Sequence, residues 1–175
     1  MDFSKLTFRQ IEPDTEIKSF KCGDSDLNDF LYEDAKAYLN EMMAVTYVLE
    51  DSERTIAYYS LLNDKIVFDP DEKPHWNRLN RAIPNRKRRR DYPAVKIGRL
   101  AVSEEYKGMN IGRMILLQIK IMFARMNRSG CRFLTVDAYQ DAVPFYEKCG
   151  FHTLSSKDVD DPTRAMYFDL RYFQK

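Results

Sequence analysis

Apolar positions along this chain alternate between two periods, and each change of period marks a change of element. Phe3–Glu12 alternates loosely and stops at Pro13, which predicts a strand. In FKCGDSDLNDFLYEDAKAYLNEMM the residues Leu27, Phe30, Leu31, Ala35, Tyr38, Leu39 and Met42 recur at helical spacing, with most charges elsewhere. Asp24 or Ser25 can cap that helix, and Phe20 stands before the cap where it could staple the entry. AVTYVLED and TIAYYSLLND, β-branched and aromatic around Asp51-Ser52-Glu53, predict a hairpin, and Lys65–Phe68 one more short strand.

The next twenty-five residues, DPDEKPHWNRLNRAIPNRKRRRDYP, hold four prolines and little periodicity, and read as a long loop. Ala94–Val102 is a near-continuous apolar run, as expected of a strand buried on both faces. Ile111, Ile115, Ile119, Met122 and Met126 form one stripe of a helix from about 109 to 128. Arg132–Ala138 is a strand. DAVPFYEKC is a short helix with Asp141 as its cap, Pro144 in its first turn and Gly150 as a left-handed stop. Phe151–Leu154 and Ala165–Phe173 close the chain as strands. The expected fold is one domain over residues 1–175, α/β (α+β), a mixed, mostly antiparallel sheet of six to seven strands flanked by helices.

Composition narrows this little: 44% hydrophobic and 31% charged residues suit a globular chain that buries roughly 70% of its unfolded surface. The formal charge of +1 selects no partner, but its distribution is uneven. Seven of the 28 basic residues fall between Arg78 and Arg90, leaving 21 against 27 acidic ones elsewhere, a formal −6. That segment is either a solvated excursion or a phosphate-contacting patch, whose contacts with an RNA substrate would be Arg86, Arg88, Arg89 and Arg90. No signal-peptide core and no apolar run of membrane-spanning length is present, so no membrane association is expected. Cys22, Cys131 and Cys149 lack paired spacing and read as reduced thiols, which fits a cytoplasmic location. With only His75 and His152, no metal site is expected.

The stretch Lys96–Arg113, KIGRLAVSEEYKGMNIGR, runs from strand through a tight turn into a helix. Such a junction offers convergent N–H groups and the positive end of a helix dipole to an anion. Gly108 and Gly112 clear side chains from the approach, and Asn110 is the type that, after glycine, best accepts a left-handed backbone. Spacing alone leaves a plain helix start equally open. LAVSEEYKGMNIG resembles the acyl-CoA motif of the GNAT N-acetyltransferases, a strand followed by a Q/R-x-x-G-x-G/A loop around the CoA pyrophosphate. Lys107 stands where Gln or Arg is usual, and Asn110 replaces the first glycine of the closing pair. VDAYQDAVPFYEKCGF is similar to the family's later segment, with Ala142, Phe145, Tyr146, Gly150 and Phe151 matching and Tyr139 where Asn is frequent.

The resemblance implies acetyl-CoA as cofactor. It places Leu100, Ala101 and Val102 along the pantetheine arm, Lys107, Gly108, Met109, Asn110, Ile111, Gly112 and Arg113 around the phosphates, and Phe145 beside the cofactor. Amine acetylation from a thioester needs a neutral amine, a stabilised oxyanion and a protonated leaving thiolate. A backbone N–H at Val102 or a near neighbour suits the oxyanion. The resemblance makes Tyr146 the acid for the thiolate, a role a phenol of ordinary pKa about 10 can fill at neutral pH; packing in an aromatic core is the plainer alternative. Glu104 and Glu105 lie near in sequence, but no base is identified. Arg99, charged within an apolar strand, calls for an internal ion pair or a substrate contact.

FKCGDSDLNDFLYEDA, YYSLL, the basic stretch and YPAVKIGRLAV are together similar to the toxin-type GNATs that pair with ribbon-helix-helix antitoxins and acetylate the amino acid on charged tRNA. That makes charged tRNA the candidate acceptor and such an antitoxin a candidate partner. A homodimer is left open. Trp76 and Tyr92 flank the basic stretch without forming a stacking motif for bases. A polyamine-like, amino-sugar or protein amine is the alternative acceptor, and a non-catalytic CoA-binding or antitoxin-binding module is the alternative of another class.

Overall fold

The computed structural model describes residues 6–127 and 129–173. Seven strands, β1 (Thr7–Gln10), β2 (Val45–Glu50), β3 (Thr55–Val67), β4 (Asp91–Val102), β5 (Phe133–Tyr139), β6 (His152–Thr153) and β7 (Thr163–Asp169), form one sheet in the order β1-β2-β3-β4-β5-β7-β6. The pairings β1 with β2, β2 with β3, β5 with β7 and β6 with β7 are all antiparallel. Four helices accompany it: α1, in three consecutive pieces over residues 25–40, α2 (Lys73–Asn80), α3 (Ile111–Arg125) and α4 (Val143–Lys148). The chain groups into two compact units, residues 1–63 with 97–118, and residues 64–96 with 119–175.

In the first unit the hairpin runs Val45↔Leu61 to Glu50↔Thr55, with a bulge at Leu49/Glu50. Asp51 shapes its turn by accepting from the N–H groups of Glu53 and Arg54 at 2.8 and 2.9 Å. Ile11, Phe20, Phe30, Leu31, Val48, Tyr58 and Ala101 fill the core. Helix α1 begins as expected, with Asp24 accepting from Leu27 N–H at 3.1 Å. Its middle, Phe30–Asp34, is a π turn in which Ala35 N–H donates to Phe30 C=O. That extra residue shifts the apolar phase. Ala35 and Leu39 stay on the core, whereas Tyr38 is half-exposed and Met42, beyond the helix end at φ 54°, is exposed.

In the second unit Phe133↔Asp169 to Tyr139↔Thr163 hold β5 to β7. Ile66, Leu79, Ile83, Tyr92, Ala94, Phe133 and Tyr167 make its core, with Trp76 and Leu154 packed against it.

Several elements differ from expectation. Lys65–Val67 is the end of β3 rather than a separate strand. The supposed long loop contains α2, because Trp76, Leu79 and Ile83 find an apolar seat on this unit's core despite Pro74. Helix α3 spans 111–125, so the exposed Met126 lies past its end, and the expected Arg128 lies outside the described residues. Residues 140–142 form a 3₁₀ turn, and the side-chain cap expected of Asp141 is not made. The last expected strand ends at Asp169 and becomes a 3₁₀ turn over Leu170–Phe173. Of the first expected strand, residues 3–5 lie outside the described residues.

Candidate active site

β4 ends at Val102, and Ser103 turns the chain out of the sheet with its own N–H donating to Ile56 C=O at 2.8 Å. Glu104 N–H donates to Lys21 C=O at 2.9 Å. With those two amides occupied, the oxyanion donor expected near Val102 is restricted to the strand amides before Ser103. Ala101 is buried in the core while Leu100 and Val102 are partly exposed, so the strand has both a packed and an open side here.

A 3₁₀ turn over Glu104–Tyr106 then delivers Lys107, Gly108, Met109 and Asn110, all exposed. Gly108 has φ +80° and Asn110 φ +61°, the left-handed conformations their residue types allow. A side chain at Gly108 would meet nothing within 4 Å, so the space over this peptide is open. Met114 N–H bonds to Asn110 C=O at 3.0 Å, closing the first turn of α3. The amides of Ile111, Gly112 and Arg113, like those of any first helical turn, have no acceptor inside the helix. Ile111 is buried and anchors the helix start; Arg113 is exposed. Loop, open face and helix end together fit a phosphate-bearing group such as the CoA pyrophosphate.

Arg99 finds an ion pair, but not an internal one: its Nη2 lies 3.5 Å from Asp26 Oδ2, with both side chains substantially exposed. Its guanidinium stands 5.1 Å from the Phe30 ring centroid, and its buried Nε has no hydrogen-bond partner among the described residues. Glu104 and Glu105 are drawn to Lys21 and Arg54 in exposed ion pairs.

In the second unit Tyr146 is buried on α4, with the Phe145 and Phe151 rings edge-on at 5.1 and 5.4 Å. Burial raises its phenol pKa well above the ordinary value, so the hydroxyl keeps its proton at neutral pH. Pro144 sits in the first turn and Gly150, at φ +84°, ends the helix, as the sequence indicates. Phe145 is partly exposed beside it.

Arg86, Arg88, Arg89 and Arg90 are exposed, and none has a carboxylate within 4 Å among the described residues. Arg88 is nevertheless held, its Nε and Nη2 donating to the carbonyls of Ile83 (3.3 Å) and Asn80 (3.4 Å). Trp76 and Tyr92 are not free for bases: they stack on each other at 5.3 Å. Tyr92 also donates from its hydroxyl to Asn80 Oδ1 at 2.7 Å.

A cluster with no counterpart among the sequence motifs braces this segment. Glu72 is buried and accepts from the Ser156 N–H, the Ser156 hydroxyl and the Ser155 hydroxyl at 2.8–3.0 Å. His75 Nδ1 lies 2.7 Å from its other oxygen. The Ser156 N–H bond leads a set of donors that overcomes desolvation and holds the carboxyl pKa down at about 2. Lys157 joins Asp69 and Asp71 at 2.8 and 3.0 Å. These partners lie over eighty residues apart, with no local signal to find them. Among the described residues no group of His, Cys, Asp and Glu could hold a metal ion, and no helix is long and apolar enough to cross a membrane.

A seven-stranded, mostly antiparallel sheet with a left-handed loop opening onto a helix defines an acyltransferase-type fold, and comparison with known proteins agrees. Residues 83–169 match the family model of the acetyltransferase (GNAT) domain. Over those residues the chain carries a GNAT acetyltransferase domain. Its fold is similar to that of a tyrosine-to-phenylalanine mutant of KacT, with 22% identity, 97% of this chain and 98% of that one covered, and a TM-score of 0.77. It is similar to AtaT complexed with acetyl-methionyl-tRNAfMet, at 21% identity, 97% coverage of both chains and TM-score 0.77. It is likewise similar to AtaTR bound with AcCoA, at 21% identity, coverage of 98% and 97%, and TM-score 0.74.

Proposed function

We propose that this enzyme transfers the acetyl group of acetyl-CoA to the amino group of aminoacyl-tRNA, in the cytoplasm, and that an antitoxin of the ribbon-helix-helix type restrains it. The observation that carries the acetyl-CoA half is the left-handed pair Gly108 and Asn110 at the mouth of α3, with open space above the glycine. Lys107 and the amides of Gly108 and Asn110–Arg113 hold the pyrophosphate, the Met109 amide being bonded to Tyr106 C=O, and the edge of β4 at Leu100–Val102 aligns the pantetheine arm. Bound there, the cofactor supplies an acetyl group on a thioester. Tyr146 supplies a proton to the departing sulfur; its burial favours the neutral phenol, which is the form that can donate.

Support for the acceptor comes from AtaT, which has been captured with acetyl-methionyl-tRNAfMet, and from the exposed arginines of 86–90, which have no carboxylate partner among the described residues and can turn their free N–H groups to phosphate. The partner reading rests on AtaT bound to the C-terminus of the antitoxin AtaR and on the KacTA–DNA complex.

The test is transfer of labelled acetyl into a charged tRNA pool, with small amines and peptides in parallel. Label in the tRNA fraction, lost on base deacylation, is expected. Tyr146→Phe should lower single-turnover transfer about 10²–10³-fold with acetyl-CoA affinity kept. Label only in small amines would make this an ordinary metabolic acetyltransferase.

A further inference from the structure

A cavity of about 530 Å³ opens beside the C-terminal end of α2, lined among others by Arg81, Ile83, Arg88, Arg171 and Tyr172. Backbone carbonyls of the chain leaving α2 organise its guanidinium groups. Arg88 donates to the carbonyls of Asn80 and Ile83, and Arg171 Nη1 to that of Ala82 at 3.5 Å. Cations at helix carbonyl ends are an ordinary cap. Here, however, the carbonyls engage only part of each fork, and a guanidinium has five N–H donors. The Arg81 side chain has no hydrogen bond and no ion pair among the described residues.

The lone carboxylate in the lining is already satisfied. Asp169 Oδ2 accepts from Arg132 Nη2 at 2.8 Å, and its Oδ1 from Arg171 N–H at 3.0 Å. Among the described residues, therefore, three arginines line the cavity without a counter-ion. Tyr172 adds an aromatic ring to the rim, 65% exposed. The volume exceeds that of a single phosphate and suits a nucleotide-sized group. Arg86, Lys87, Arg89 and Arg90 follow Arg81 closely along the chain, as a polyanion rather than a small ligand would require.

We propose that this cavity seats one unpaired nucleotide of an RNA, Arg81 and Arg171 holding its phosphate and Tyr172 stacking on its base. It deepens the aminoacyl-tRNA reading, on which it rests for its use, by assigning a specific single-stranded contact in addition to the arginine run. Arg–phosphate forks fix position, and aromatic stacking accepts any base.

The experiment measures binding of fluorescent, uncharged tRNA to the full chain by anisotropy across a salt series, with thermal melting as the check on folding. Arg81→Ala/Arg171→Ala is expected to weaken binding about 10–100-fold and to flatten the log–log salt slope by about 0.7–0.9 units, as loss of one phosphate contact requires. Tyr172→Ala should weaken it about 5–100-fold with the slope unchanged, and Tyr172→Phe should restore it. Arg171→Lys should keep the slope but not the full affinity. Wild-type affinity and slope in the double variant would overturn the proposal. So would a loss on Arg81→Ala/Arg171→Ala with none on Tyr172→Ala, which would leave only a general positive field. Acetyl transfer to charged tRNA is assayed separately. If the wild type shows none while the variants still lose RNA binding, the aminoacyl-tRNA reading fails and the nucleotide site stands.

Discussion

The turn at Lys107–Asn110 and the segment from Asp69 to Tyr92 are both positively charged connections, the second built around α2, yet they are held in different ways. The turn is fixed by its own residues. Gly108 and Asn110 take left-handed backbones, and Asn110 C=O closes the helix four residues on. The segment is fixed from afar. Glu72 is clamped by Ser155 and Ser156, Lys157 reaches back to Asp69 and Asp71, and Trp76 lies on Tyr92. A local device depends on backbone preference, whereas a remote one depends on the fold having already formed.

That difference can be broken from either side. The largest effect is expected on the segment: replacing Arg86, Arg88, Arg89 and Arg90 together by Ala should weaken tRNA binding about a hundredfold. The salt slope should fall by about 0.7–0.9 for each phosphate these side chains neutralise, while acetyl-CoA affinity holds. An unchanged slope would make these arginines a solvated face. Next comes the turn. Asn110→Val forces a β-branched residue into φ +61° at about 1–2 kcal/mol, which predicts a loss of about tenfold in acetyl-CoA affinity by calorimetry. Asn110→Gly should bind at least as well as the parent. Equal affinity in the valine variant would show that the backbone there is not what the cofactor reads.

The smallest effect concerns the brace. The Glu72 carboxyl is depressed to about 2 in the folded chain, below its ordinary 4.5. Its stabilisation is therefore complete above the unfolded value and is lost as pH falls from about 4.5 towards 2. Glu72→Gln should lower Tm near neutral pH and flatten the acid limb of a Tm–pH profile. An acid limb as steep as the parent's would assign it to other carboxylates.

The same contrast explains what could be read beforehand. The strands around Asp51-Ser52-Glu53, the apolar run into Val102 and the Gly150 stop each follow from neighbours within a few residues. Asn110 was legible for the same reason, since its conformation is a property of its own side chain. Helix α2 was not, because Pro74 and the run of charges hide an apolar stripe of only Trp76 and Leu79, with Ile83 following just past its end. Nor were Arg171 and Tyr172, which join Arg81 and Arg88 around one cavity only after β7 has brought the end of the chain back. Arg99 falls between: its need for a partner could be read, but Asp26 could not be named.

The π turn at Phe30–Asp34 bears on how this helix can change over descent. One surplus residue is stored there, and its removal would restore a regular ladder while rotating everything after it by about 100°. Ala35 and Leu39, which now meet the core, would swing away from it. The insertion thus behaves as a ratchet. Once the later half of the helix had suited its face to the displaced phase, a simple reverse deletion could no longer be accepted, and a lasting one-residue gap should separate this lineage from relatives with an unbroken helix.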